Sequence, residues 1–363
     1  MLPCQPNTRV RDFQSPADKG RLNTPGQVAI AIAIGIAVGA ARYFRLLERP
    51  GAVAVDFTWP WRAARILIDG HNPYQVITAT GPFPFDGPFY YPLTAAVAAL
   101  PFAPLRPAAA GGIFIGVSTA LLVFGMLRTA RAHLLPLLLS IPFLVAWASI
   151  QWSPIMAGAA LLPAVGFVFA VKPTIGAAAF AYRPTWQAVV GALVLTAISL
   201  AWRPTWPGDW IATMNAPVAS GPRPHGPPAM WPPMGPLLLL AALRWRTPEG
   251  RLLLVASLVP TAPWWYDSLV VTLVARRAAE SWLLVACGWV GVIAQLAIAG
   301  PANTAGNFDV IRPYMLLAVY MPALLIVLRR PNVGEIPQWL TRLTRRRRQA
   351  RALGDEQGRD SLP

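Results

Sequence analysis

The chain has 363 residues, 55% hydrophobic and only 13% charged, with a mean hydropathy of +0.47, an apolar excess beyond a soluble domain of this size. Its 31 basic against 15 acidic residues give a formal charge of +16, yet much of the arginine gathers at the two ends and in short loops between apolar runs, which is a positive-inside pattern and excludes nucleic acid as the preferred partner. Cys4 and Cys287 lie in unlike surroundings, and His71, His133 and His225 show no ligand spacing, so no redox pair, metal site or cofactor is expected.

Residues 1–26 form an arm carrying Arg9, Arg11, Lys19 and Arg21, expected in the cytoplasm. The apolar run from 27 to 47 is too long for a cleaved signal core and predicts an uncleaved anchor. A first outer loop follows at 48–90. Within it Phe57, Trp61, Ala64 and Ile68 recur on one helical face and Thr58, Arg62, Arg65 and Asp69 mark the other, which predicts a short amphipathic helix in the membrane interface. Pro60 suits its first turn; Gly70 and Pro73 end it.

Further apolar runs at 91–105, 108–127, 134–149, 154–171, 187–202, 235–243, 252–275, 282–299 and 313–328 extend an all-α polytopic membrane domain over 27–330. About 10 to 12 spans are expected. Arg128, Arg131, Arg183, Arg244 to Arg251, Arg276, Arg277 and a basic tail at 331–363 set the cytoplasmic side, so both termini lie there and 203–233 and 300–312 lie outside. On that assignment 91–105 is a half-span or re-entrant piece, and 252–275 is a hairpin with Trp264-Trp265-Tyr266-Asp267 at its outer tip. Trp206, Trp210 and Trp231 make the 203–233 loop either an interfacial belt or an aromatic cover over a sugar site.

A lone acid, Asp56, an aromatic-rich helix and Gly70-His71-Asn72-Pro73-Tyr74 in the first outer loop together resemble the family 87 polyprenol-phosphate-dependent glycosyltransferases. Tyr90-Tyr91-Pro92-Leu93, Gln151, Lys172-Pro173 and Tyr266-Asp267 follow in matching order. The sequence departs from that pattern at Ile150, where the family prefers glycine before glutamine, and at Leu93, where a second proline is usual. Some relatives carry Trp-x-His-His where this chain has Tyr266-Asp267. The resemblance implies the C-type glycosyltransferase fold, a polyprenyl-phosphate-linked sugar as donor, mannose-like by analogy, a lipid or cell-envelope glycan as acceptor, and a bacterial plasma membrane.

For such a transfer the acceptor hydroxyl must lose a proton, and a positioned carboxylate contributes roughly 100 to 10,000-fold. Asp56 is the candidate base; capping its own helix is the plain alternative. Arg42, Arg45 and Arg49 sit on the side that the positive-inside tendency disfavours, and with Arg62 and Arg65 they form a candidate rim for the lipid phosphate, snorkelling to headgroups being the other reading. Lys172 is either a phosphate ligand or a cytoplasmic anchor. Tyr266 and Asp267 either grip the donor head or serve structure, Asp267 pairing with an arginine or capping a helix. Trp59, His71, Asn72, Tyr74 and Gln151 complete the candidate substrate contacts, with a hydrogen-bonding filler role in the turn open for His71 and ordinary helix punctuation for Gln151.

The competing class is a non-enzymatic protein of the same fold, a translocase of lipid-linked sugar or an envelope assembly partner. A transporter is expected to show repeat symmetry and ionisable groups through its spans. Here the polar signal gathers at the outer rim and no internal repeat is visible, which favours transfer. The basic tail is expected to contact membrane lipids.

Overall fold

The structure, a computed structural model, describes residues 23–48, 55–78, 87–216, 226–301 and 310–334, and among these it is helical without strands. Its helices are α1 Thr24–Leu47, α2 Thr58–Ile68, α3 Pro73–Val76, α4 Leu93–Ala99, α5 Pro107–Arg128, α6 Ile141–Ser149 and α7 Ser153–Leu161. They continue with α8 Pro173–Tyr182, α9 Trp186–Trp202, α10 Trp206–Asn215, α11 Pro248–Leu258, α12 Ala278–Ile298, α13 Arg312–Met315 and α14 Met321–Leu328.

α1, α5 and α12 are long and apolar enough to cross a membrane. Two bent pairs raise the number of candidate crossings to five: Ala132–Leu139 with α6, turned by 63°, and α9 with α10, turned by 94°. The larger number of spans expected from the apolar runs therefore requires the shorter helices to cross as well. Two of these, Gly235–Arg244 and Trp265–Val274, are 3-10 helices of ten residues. At about 2 Å per residue each reaches ~20 Å, against ~15 Å had it been an α-helix, so extension partly offsets short length.

The most extensive helix pairing among the described residues is α1 on α5. Both helices carry glycines four apart, Gly35 and Gly39 on one, Gly112 and Gly116 on the other. A Cβ on Gly39 would stand 2.6 Å from the Gly112 carbonyl oxygen, and one on Gly116 would stand 2.8 Å from that of Gly35. Only glycine fits this reciprocal seam, the small-residue packing typical of helices in lipid.

α2 ends as its sequence dictates. Gly70 takes φ +79, its N–H bonds the Leu67 carbonyl at 3.0 Å and the next N–H, from His71, reaches the Ile66 carbonyl at 2.9 Å, the Schellman pattern that satisfies orphan carbonyls. The helix is more deeply packed than an interfacial one: Thr58, expected on the polar face, is fully buried, whereas Ile68 is 57% exposed. The reason is that α4 and α5 close over α2, so both flanks of its first turns meet protein.

The chain between α9 and α12 also differs from a plain interfacial loop. Trp206 and Trp231 are buried, the latter against Tyr320, while α10 turns across the bundle and packs on α3 and α4. Residues 252–275 resolve into α11 and the Trp265–Val274 helix joined by a turn. A π-turn, Leu316–Tyr320, precedes Pro322; proline lacks the N–H that would bond Ala318, and the widened turn accommodates its ring.

Candidate functional site

Asp56 lies half-buried in the 3-10 turn Val55–Phe57 that leads into α2. Phe57 anchors this turn: it is wholly buried, stacked on Phe114 of α5 with ring centres 3.9 Å apart, and edge-on to Phe102. From the turn between α6 and α7, Gln151 Nε2 donates to Asp56 Oδ2. Tyr266, in the first turn of the Trp265–Val274 helix, stands beside the same carboxylate and stabilises its charged form.

Beside it stands a second acid. Asp267 is buried, with Oδ1 2.6 Å from Lys172 Nζ, and its Oδ2 accepts from Thr261 Oγ1 at 3.1 Å. Lys172, the residue just before α8, also lies 5.0 Å from the Tyr266 ring centre. Its charge acts on Asp56 as well as on Asp267. Two carboxylates, an ammonium, an amide and a phenol thus meet from four distant segments of chain.

Burial pushes the Asp56 carboxyl up to about 6; the Gln151 N–H and the Lys172 charge pull it down, the Asp267 charge raises it and the Tyr266 hydroxyl lowers it. A carboxylate poised near neutrality is suited to exchange protons with a substrate hydroxyl.

The backbone around Asp56 and Gln151 is unusual. Val55 has φ +43 and Ile150 has φ +51, so a β-branched residue in left-handed backbone immediately precedes each partner of the Asp56–Gln151 bond. Such conformations cost on the order of 1 to 3 kcal/mol each and persist only where the surroundings over-determine them. Ile150 is wholly buried, so its side-chain packing offsets its strain. Its left-handed φ is a conformation that glycine adopts without cost.

Of the other expected site residues, Arg42 donates to the Ala148 carbonyl oxygen and its guanidinium lies 5.6 Å from the Trp147 ring centre. It therefore caps the last turn of α6, three residues before Gln151. Arg45 is exposed in the last turn of α1, and Arg49 lies outside the described residues. Arg62 is half-buried within electrostatic reach of Arg65, which lies 5.2 Å from the Trp61 ring centre. The cation brought to the carboxylates is Lys172, and the partner of Asp267 is this lysine where an arginine was expected.

The motif at 70–74 serves the backbone. Asn72 caps α3, accepting from the Tyr74 N–H at 3.2 Å, and its Nδ2 donates to Asp209 of α10 at 3.0 Å. The Tyr74 hydroxyl donates to the Tyr91 carbonyl at 3.0 Å, and Trp59 Nε1 donates to Gly87 at 3.2 Å. His71 is exposed just past the end of α2. Sequence reasoning missed Thr261, whose signal is a lone hydroxyl six residues before an apolar-run acid, and Asp209, which holds Asn72, Thr205 and, at 4.0 Å, Arg203. Among the described residues no group of three or more His, Cys, Asp or Glu could hold a metal.

The chain matches no protein-family model, and comparison with curated proteins and with solved structures gives no match.

Proposed function

We propose that the chain is a membrane glycosyltransferase of the C-type fold, moving one sugar, mannose-like by analogy, from a polyprenyl phosphate to a hydroxyl of a lipid or cell-envelope glycan at the outer face of a bacterial plasma membrane. The single observation that carries this reading is the convergence of Asp56, Gln151, Lys172, Tyr266 and Asp267, the residues of the matching motifs, from positions up to 211 apart in the chain.

In this reading Asp56 accepts the proton of the acceptor hydroxyl as its oxygen attacks the anomeric carbon. The bond from that carbon to the phosphate oxygen breaks, configuration inverts, and the polyprenyl phosphate departs as an anion. No proton is needed on that leaving group; cationic charge suffices, and Lys172, whose charge acts on the Asp56 carboxylate, supplies it. Gln151 orients the Asp56 carboxylate, and Asp267 holds Lys172 in place. α10, tied to the first loop through Asn72 and through Trp210 Nε1 on the Tyr90 carbonyl at 2.9 Å, acts as a cover.

The test is transfer of a radiolabelled sugar from polyprenyl-phosphate mannose to envelope glycolipid in proteoliposomes containing the purified chain, together with mass spectrometry of glycolipids from a deletion strain. An unchanged glycolipid profile and no transfer by the purified chain would overturn the reading.

A further inference from the structure

At the end of the bundle opposite Asp56, four segments bring arginines together around two acids. Glu249, buried in the first turn of α11, receives both Nε and Nη2 of Arg276, at 2.9 and 2.5 Å. Glu280 of α12 accepts from Arg330 Nη2 at 2.6 Å and from the Arg276 backbone N–H at 2.7 Å. Arg330 Nη1 holds the Val274 carbonyl at 2.8 Å, and His133 meets the adjacent Ala275 carbonyl at 3.2 Å.

That closes off both acids and leaves two further cations. Arg131 lies 5.2 Å from the Tyr182 ring centre and within electrostatic reach of Glu249, Arg183, Arg276 and Arg330; its Nη1 is enclosed without a hydrogen-bond partner. Arg183 is exposed, spending one nitrogen on the Leu161 carbonyl at 3.0 Å. These four guanidinium groups, with Arg251 also within electrostatic reach of Glu249, outnumber the two carboxylates by at least two positive charges, and Arg183 and Arg276 lie at the surface. Apolar helices surround the cluster, so its natural counter-charge is one that arrives from the bilayer edge.

We propose that this cluster is a binding site for the phosphate headgroup of an anionic membrane lipid, received by Arg183 and Arg276, with Arg131 and Arg330 behind them supplying field. The site is independent of the Asp56 chemistry and at the other end of the molecule. Basic residues gathered at the end of a helical bundle attract anionic headgroups, each worth about five-fold in affinity.

The experiment is native mass spectrometry of the detergent-solubilised full chain exchanged into micelles containing phosphatidylglycerol or phosphatidylcholine. The wild type should retain phosphatidylglycerol selectively. Arg183→Gln should weaken that retention about five-fold and Arg183→Lys should largely preserve it, because a point charge is kept. The basic tail is common to all variants and cancels in the comparison. Equal retention of the two lipids by the wild type, or selectivity untouched by Arg183→Gln and Arg131→Gln alike, overturns the proposal. Inorganic phosphate provides the remaining arm: competition with the lipid supports phosphate recognition, whereas protection by phosphate without lipid retention assigns the site to a soluble anion and overturns the lipid. Should a Gln variant not purify as folded protein, the wild-type selectivity and the Lys variant still decide.

Discussion

Gln151 and Asp56, 95 residues apart, meet through one amide–carboxylate hydrogen bond, and the residue before each is a β-branched side chain in left-handed backbone. The surrounding packing holds both turns in these costly conformations. Ile150 is buried and Phe57 is locked between Phe114 and Phe102, so two aromatic and aliphatic anchors position one polar contact.

Asp56→Asn is expected to lower transfer by roughly 100-fold or more while leaving membrane insertion and abundance intact. In the wild type, transfer should rise with pH through about 6, where the buried carboxyl ionises, and level above it. The sign for stability is opposite. An acid held near 6 in the folded chain against about 4 when unfolded binds its proton more tightly when folded, so its contribution is present below about 4 and is lost as pH rises through about 6. A pH–rate profile and a pH series of detergent melts check both.

Gln151→Leu removes the donor that holds the carboxylate anionic. The acid limb of the pH–rate profile should move upward by about one pH unit, since a hydrogen bond to a charged group is worth roughly 1.5 kcal/mol or more. A limb that stays in place would show that Gln151 does not act on Asp56.

Lys172→Met leaves Asp267 buried without its cation and should destabilise the fold by about 3 to 5 kcal/mol. Asp267→Leu combined with Lys172→Met should cost well under the sum of the single changes, because neither charge is then stranded. Chemical unfolding of the four proteins in detergent measures the coupling directly.

Arg42→Gln separates two roles. As the cap on the Ala148 carbonyl, Arg42 should set the orientation of Gln151, so its loss lowers kcat, about ten-fold, with the donor KM little changed. A phosphate ligand would instead raise that KM. Steady-state kinetics against the donor distinguish them.

Gly39→Leu or Gly116→Leu should separate α1 from α5, because either side chain runs into backbone of the facing helix. We expect loss of several kcal/mol and a fall in the yield of folded protein, read by size-exclusion of the detergent-solubilised chain.

Helix positions were legible wherever apolar runs end in strong punctuation: Gly70 and Pro73 close α2, Pro107 opens α5, and Arg128 ends it. The depth of α2 was not, because its burial comes from α4 and α5, which no local pattern announces. The acid–amide–lysine cluster could be nominated residue by residue, but its pairing could not: Lys172 and Asp267 are 95 residues apart, and nothing in either segment fixes which opposite charge it meets. Arg42 looked like a surface cation since periodicity cannot show that the end of α6 stands beside it. The glycine seam was open to reading, as the four-residue spacing occurs in both α1 and α5, while the strain at Val55 and Ile150 belongs to tertiary packing alone.

The seam has a mechanical corollary. Neither α1 nor α5 can slip or roll on the other without driving a carbonyl oxygen into an opposing Cα, so the two travel as a single plank. Through Arg42 that plank grips the terminus of α6 and, with it, the amide that meets the carboxylate.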